Sequence, residues 1–330
     1  MTEAPSRNLA LDLVRVTEAA ALAAARWVGR GDKDAGDGAA VEAMRLVLGT
    51  VEMDGVIVIG EGAKDEAPML FNGEKVGNGR GAKADVAVDP VEGTNLLARG
   101  APDAIAVIGV APRGTMWQPG PAFYMKKLVV SREAAPALKP EHLNGPVYTT
   151  LAVIAEAKKK SLSDLTVFVL DKPRHAALIA ELRAAGVRVL LRTDGDVAGA
   201  LLAARPDSGV DALMGIGGTP EGVIAACAVR ALKGGMLGQL APQRADEIAA
   251  VKDAELDTSK VMTEQELVSS DDVFFSATGI TDGIMLEGVR YDAAGPTTES
   301  LVVRGRTGTV RKIFAEHRRD KLSQISPIAY

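Results

Sequence analysis

Between residues 149 and 234 the chain alternates strand-length apolar runs with helix-length segments, almost without interruption. A helix near 149–160 leads into TVFVL, then RHAALIAELRAAG, VRVLL, DVAGALLAAR, DALMGI and EGVIAACAVRALKG. The short runs are dense in β-branched and apolar residues, whereas the longer ones place apolar residues at helical spacing. Strands that alternate with helices of this length demand a layered βα unit, because each helix must bury its stripe on a sheet. No other feature restricts the fold as strongly.

The N-terminal part is organised differently. Leu9 to Trp27 is Ala-rich with helical periodicity and stops at Gly29-Arg30-Gly31. The polar loop GRGDKDAGDG follows, with Asp37 placed to cap a second helix from Ala39 to Val51. VIVIG (56–60), ADVAVDP (84–90), AIAVIGVAP (104–112) and YMKKLVVS (124–131) read as strands between Gly/Pro-rich turns. Composition shifts between Pro140 and Pro146, which divides the chain into an expected helix-plus-sheet domain over 1–148 and an α/β domain over 149–330. Within the latter, 241–267 is charged and mostly helical, and VFFSATG (273–279), GIMLEGVRY (283–291) and ESLVVRG (299–305) are expected strands. At 330 residues, two domains or one large α/β domain is the expectation.

Composition narrows the chemistry. One cysteine, Cys227, excludes an internal disulfide and a cysteine-based zinc site. The three histidines, at 142, 175 and 317, show no metal-ligand spacing. A zinc centre or a Ser-His-Asp triad would need residues drawn from distant segments. With 38 basic against 43 acidic residues the net charge is −5, which argues against a nucleic-acid groove. No apolar run is long enough for a membrane span, and MTEAPSRNLALDL lacks the basic-then-apolar order of a signal peptide. A cytoplasmic, soluble protein is expected. Glycine, 35 of 330 residues, is about 11 per cent against an average near 7 per cent.

The most informative pattern is acids at element ends in glycine company. Asp89-Pro90-Val91-Glu92-Gly93-Thr94 follows the strand ADVAV directly. Asp89 and Glu92, three apart, could be aimed by one turn at a common point, and Thr94 would open a helix whose free N–H groups suit a phosphate. Hard cations such as Mg²⁺ or Mn²⁺ take oxygen ligands of this kind. A turn acid and a helix-dipole acid account equally well for the same residues. Glu61 ends the strand VIVIG between Gly60 and Gly62, where α/β proteins hold ligands, and Asp65 follows in the same loop, although an exposed strand-end acid and a surface charge explain the two residues as well. In GIGGTPEG (215–222), Thr219 and Pro220 make a good helix start, while Gly217 and Gly218 would expose N–H groups beside Glu221. That segment breaks the dinucleotide fingerprint, since Pro220 stands at its third glycine. LDKPRHA and RTDGDVA join strands to helices. Lys172 and Arg174 could hold a phosphate, and Asp194 and Asp196 could accept polyol hydroxyls, although helix-start chemistry explains both loops too.

Together these motifs carry a resemblance. DPVEGT resembles the D-P-[IVL]-[DE]-G-T signature of the lithium-sensitive, metal-dependent sugar and inositol phosphatase superfamily. RVTEAAALAAARWVGRGDKDAGDGAAVEAMR, VIVIGEGAKDEAPML, GIGGTPEGV and FFSATGITDG are similar to class II fructose-1,6-bisphosphatases, in order over roughly 9–311. The resemblance implies the sugar-phosphatase fold, α/β with alternating helix and sheet layers (αβαβα). It implies metal-dependent hydrolysis of the 1-phosphate of fructose 1,6-bisphosphate in gluconeogenic or Calvin-cycle carbon metabolism. Sedoheptulose 1,7-bisphosphate is a possible second substrate, and an inositol-monophosphatase-like activity is the more distant alternative.

By motif, the resemblance assigns Asp37 and Glu61 to one metal site and Asp89, Glu92 and Glu221 to a second, with Mn²⁺ or Mg²⁺ as cofactor at two or more positions. Thr94 matches the threonine beside the reacting phosphate, and Lys33 and Asp65 match further polar groups of the catalytic site. Glu92, Gly93, Thr94, Tyr124, Lys172, Pro173, Arg174, Asp194, Gly195, Asp196 and Gly218 match substrate contacts. A homo-oligomer, dimer or tetramer, is implied, with no nucleic-acid or membrane partner. Trp117-Gln118-Pro119 and a shortened 239–267 segment depart from the pattern without touching a motif.

Overall fold

The computed structural model describes residues 9–61, 70–318 and 320, so Asp65 lies outside the described residues. The chain forms two compact units: the described residues of Met1–Thr115 and Asp272–Tyr330 make one, and Met116–Asp271 makes the other. The composition shift at 140–146 falls inside the second unit, and the C-terminal strands join the first. The shift therefore marks where βα alternation starts within a unit, not a division between units.

In chain order the first unit contributes α1 (Leu9–Ala25), α2 (Lys33–Leu48), β1 (Asp54–Ile59), β2 (Lys75–Val76), β3 (Lys83–Glu92), α3 (Thr94–Arg99) and β4 (Ile105–Pro112). The second unit follows with β5 (Tyr124–Val130), α4 (Val147–Lys158), β6 (Thr166–Leu170), α5 (Ala176–Ala184), β7 (Arg188–Arg192), α6 (Asp196–Ala204), β8 (Ala212–Gly218) and α7 (Thr219–Leu232). It closes with β9 (Gly235–Leu240), α8 (Ala245–Asp253), β10 (Met262–Thr263) and α9 (Glu264–Leu267). The chain then returns to the first unit as β11 (Phe274–Gly279), β12 (Arg290–Tyr291), β13 (Pro296–Arg304) and β14 (Thr309–Glu316).

Each unit is built on a mixed sheet, which gives the layered α/β architecture. In the first, the order is β12-β13-β11-β4-β3-β1-β2 with β14 on β13, and among the described residues only β1 and β3 run parallel. In the second the order is β10-β9-β5-β8-β6-β7, with β6 parallel to both β7 and β8. Helix α1 buries Leu13, Val16 and Ala20 in the first core, and alanines 19, 23 and 43 let α1 and α2 pack closely. A chain of buried hydroxyls runs from Thr17 to Thr278 at 2.7 Å and on to Ser300 at 2.8 Å, so the polar positions of β11 and β13 are satisfied under α1. Among the described residues no helix is long and apolar enough to cross a membrane.

Two expectations change, and two strands join those expected. Helix α2 starts at Lys33, because Asp32 rather than Asp37 is its N-cap and accepts from the Ala35 N–H at 3.0 Å. Gly36 and Gly38 suggested a loop, yet Gly36 is buried in the helix where a Cβ would overlap Leu97 of α3. GIMLEGVRY is a strand only at Arg290–Tyr291. Before that the chain folds back on itself, with Gly283 N–H donating to Leu286 O at 2.9 Å and Ile284 N–H to Asp103 Oδ1 at 2.8 Å. Strand β9 reads GMLGQL, whose glycines hide its β character. Strand β14 carries Arg311, Lys312 and Glu316 on an exposed edge, where burial imposes no apolar pattern.

Candidate active site

In the first unit the acids stand at the ends of two parallel strands. Strands β1 and β3 pair in parallel up to Ile59 and Ala87, and Glu61 and Asp89 each lie two residues farther on. Asp89 and Glu92 would point to opposite faces of a regular strand, since they are separated by an odd number of residues. The pairing with β4 shifts between them: Asp89 faces Val107 and Glu92 faces Ile105, two residues apart. One extra residue thus bulges at Pro90-Val91, and both acids return to one face. Their carboxylate oxygens come within 4.8 Å of each other. The two acids converge through a strand bulge, not through a helical turn.

Gly93 then takes the left-handed conformation (φ 94°) as N-cap of α3, and Thr94 opens that helix with its first-turn amides. Helix α2 packs on α3 through Gly36 and Leu97, beside Asp37, and Thr94 is half-buried. Burial and the neighbouring Asp34 push the Asp37 carboxyl from 3.8 up to about 6. Lys33, at the start of α2, lines a cleft with Arg30, Asn95 and Arg99. Among the described residues, neither Asp37 nor Glu61 falls in a cluster of three or more potential ligand side chains.

In the second unit the loops after β6, β7 and β8 converge at the C-terminal ends of these parallel strands, the usual ligand edge of an α/β sheet. Lys172 donates to Asp194 Oδ1 at 3.0 Å, so two expected substrate contacts are paired with each other. Pro173 opens a turn of 3₁₀ helix. The Arg174 guanidinium, 5.2 Å from the Tyr124 ring centroid, donates to Ile216 O at 3.0 and 2.8 Å. Buried His175 receives the Ile216 N–H on Nε2 at 2.7 Å, which leaves Nδ1–H to donate to Leu170 O at 2.6 Å. Burial holds its pKa below the ordinary 6.5. Gly195 is left-handed (φ 97°) at the N-cap of α6, which begins with Asp196. Tyr124 faces Gly218 across the β5–β8 pair.

Gly217 and Gly218 have a role that the sequence did not reveal. A Cβ on residue 217 would overlap the Asp196 carboxylate, and one on residue 218 would overlap that of Glu221. The glycines make room for two carboxylates at the start of α6 and α7. Buried Glu221 Oε2 has no hydrogen-bond partner among the described residues. Burial, and secondarily the nearby Asp196 charge, raise the Glu221 pKa, while Lys127 opposes the shift. An orphaned buried carboxylate oxygen in an all-carboxylate donor set suits a hard divalent cation. Lys127 itself was missed, because YMKKLVVS offers two adjacent lysines and no sign of which one turns inward.

Residues 7–317 match the family model described as bacterial fructose-1,6-bisphosphatase, glpX-encoded. The chain is 47% identical over 328 residues to fructose-1,6-bisphosphatase 1 class 2 of Escherichia coli (strain K12), covering 96% of each chain. The class 2 fructose-1,6-bisphosphatase of Shigella flexneri gives the same identity over the same length. This agreement spans both units and every described acid discussed above, so the chain belongs to the bacterial, glpX-encoded fructose-1,6-bisphosphatase family.

Proposed function

We propose that this protein hydrolyses the 1-phosphate of fructose 1,6-bisphosphate, giving fructose 6-phosphate and inorganic phosphate, with Mn²⁺ or Mg²⁺ as cofactor. The observation that carries the reading is the full-length relationship to class 2 fructose-1,6-bisphosphatases, with the carboxylates, Thr94 and the Lys172–Arg174 loop all present. Asp37 and Glu61 would hold one cation, and Asp89, Glu92 and Glu221 another. When bound, such cations supply positive charge to the phosphoryl oxygens and acidify water.

The chain's own groups do the rest. First-turn amides of α3 and the Thr94 hydroxyl orient the 1-phosphate. A carboxylate of this cluster, or Asp65, takes a proton from the attacking water. As the water oxygen bonds to phosphorus, the bond from phosphorus to the C1 oxygen breaks, and that oxygen regains a proton. Lys172 and Arg174 grip the distal phosphate, with Arg174 already braced on Ile216 O and Tyr124. Binding there breaks the Lys172–Asp194 pair and frees Asp194 for a sugar hydroxyl. Asp196, Gly195 and Gly218 complete the sugar contacts, while Lys33 balances charge beside the acids.

Phosphate release from fructose 1,6-bisphosphate, with each metal and then with chelator, tests the proposal, and absence of metal-dependent release rejects it. Sedoheptulose 1,7-bisphosphate shares the reacting end, so kcat/KM on both sugars sets the substrate range. We also read the enzyme as a cytoplasmic homodimer or homotetramer, which light scattering of the purified protein checks.

A further inference from the structure

We infer that Lys127 is a positioning residue of the sugar subsite, a buried ammonium that holds Asp196 and the first turn of α7 in their working places. The inference rests on the sugar-contact role proposed for Asp196. Lys127 lies on β5, near the middle of its sheet, and its side chain is 1% exposed. Its cross-strand partners are glycines on both sides, Gly215 on β8 and Gly238 on β9. Side chains directly opposite share a face of the sheet, so neither neighbour competes with the lysine for space. Gly222 of α7 lies over the stem, where a Cβ would be in ordinary contact with Lys127 Cδ at 3.5 Å. The stem thus runs under α7, between residues that have no side chains of their own.

At the end of this passage Nζ meets two groups. It pairs with Asp196 Oδ2, and it donates to Gly218 O at 2.7 Å. Asp196 is the first residue of α6 and Gly218 is the N-cap of α7, so one charge ties two helix starts together. Both helix starts carry expected substrate or metal contacts. Lys127 does not reach the site surface itself.

Stability alone does not account for such a pair. Burying an ammonium and a carboxylate costs several kcal/mol per ion, and well-packed apolar residues often serve the fold as well or better. What the pair does provide is orientation. With Oδ2 held by Lys127, Oδ1 is the oxygen left to a sugar hydroxyl. The Gly218 carbonyl is fixed by the same ammonium, three residues before Glu221.

The test is a double-mutant cycle on the metal-loaded full-length enzyme with fructose 1,6-bisphosphate, using Lys127→Met, Asp196→Asn and the double variant, each with its melting temperature. Loss of a charge-assisted contact at the sugar predicts a KM raised about tenfold or more in each single variant, with kcat within about threefold. The double variant should be no worse than the poorer single one, because both changes remove the same arrangement. A Lys127→Met enzyme that melts lower but keeps its KM marks the lysine as structural only and overturns the inference, as do fully additive effects. If Asp196→Asn leaves KM unchanged, the sugar role of Asp196 is wrong and the inference falls with it. No turnover by the unmodified enzyme rejects the phosphatase reading instead. Should Lys127→Met fail to fold, Lys127→Gln, which keeps a donor and removes the charge, carries the comparison. If neither folds, the role is structural and the inference is rejected.

Discussion

The Asp196 carboxylate fills the place where a side chain on residue 217 would stand. Neither Gly217 nor Gly218 has positive φ, so alanine suits the backbone at both positions. Gly217→Ala should therefore strain no backbone but push Asp196 away from buried Lys127, which lowers the melting temperature and raises KM. Gly218→Ala should instead displace Glu221 and raise the metal concentration needed for half activation. Metal titrations of both variants separate the two effects, and equal behaviour would contradict the assignment.

Arg174→Ala removes the proposed grip on the distal phosphate. Losing charge-assisted hydrogen bonds worth about 1.5–3 kcal/mol lowers kcat/KM by roughly 10- to 100-fold. Melting should hardly change, as the guanidinium contacts with Ile216 O are exposed. Unaltered kcat/KM would point to monophosphate substrates.

Thr94 opens α3 immediately after the acid bulge. Thr94→Ala should reduce kcat by about 10²-fold or more if its hydroxyl aligns the reacting groups, whereas Thr94→Ser keeps the hydroxyl and most of the rate. Steady-state kinetics on the two variants decides.

Glu18 is buried on α1, receiving the Thr298 hydroxyl at 3.2 Å, with His317 Nε2 2.8 Å from that hydroxyl. Burial raises its pKa from 4.5 to about 7, with Thr298 and Arg15 opposing. The folded state holds this proton more tightly than the unfolded chain. Its contribution is complete below pH 4.5 and is lost as pH rises to about 7, by up to about 3 kcal/mol. Glu18→Gln should flatten that slope and be more stable than the parent at pH 8, as denaturant titrations across this range will show.

His175 acts in the opposite sense. Its pKa lies below 6.5, so the unfolded chain gains the proton first and stability falls as pH drops below about 6.5. Protonation also removes the acceptor for the Ile216 N–H. Melting curves in the Glu18→Gln background should show a shallower acid limb for His175→Asn, with His317, likewise held below 6.5 by burial, supplying part of what remains.

The sequence makes the βα alternation legible, because burial on a sheet forces periods of two and 3.6 onto apolar residues. Strands with little apolar burden escape that logic. Strand β14 is exposed along an edge, and β9 gives up side chains at Gly235 and Gly238 to packing, the latter under Met125 at 2.7 Å from a would-be Cβ. In the site, the residue types and motifs were legible, and their geometry was not. The Asp89–Glu92 bulge depends on register with β4, and the Asp32 cap on how α2 meets α3. Lys127 depends on glycines contributed by two other strands, and no local window contains them.

The first unit's sheet has a timetable. Strand β4 pairs with β11, whose residues follow about 160 positions later in the chain, while the second unit is one unbroken segment between them. During synthesis at about 5–20 residues per second, β4 stands as an open edge for roughly 8–30 s. All of 116–271 emerges in that interval and can close its own contacts. The domain that is first in the sequence is thus the last to be completed.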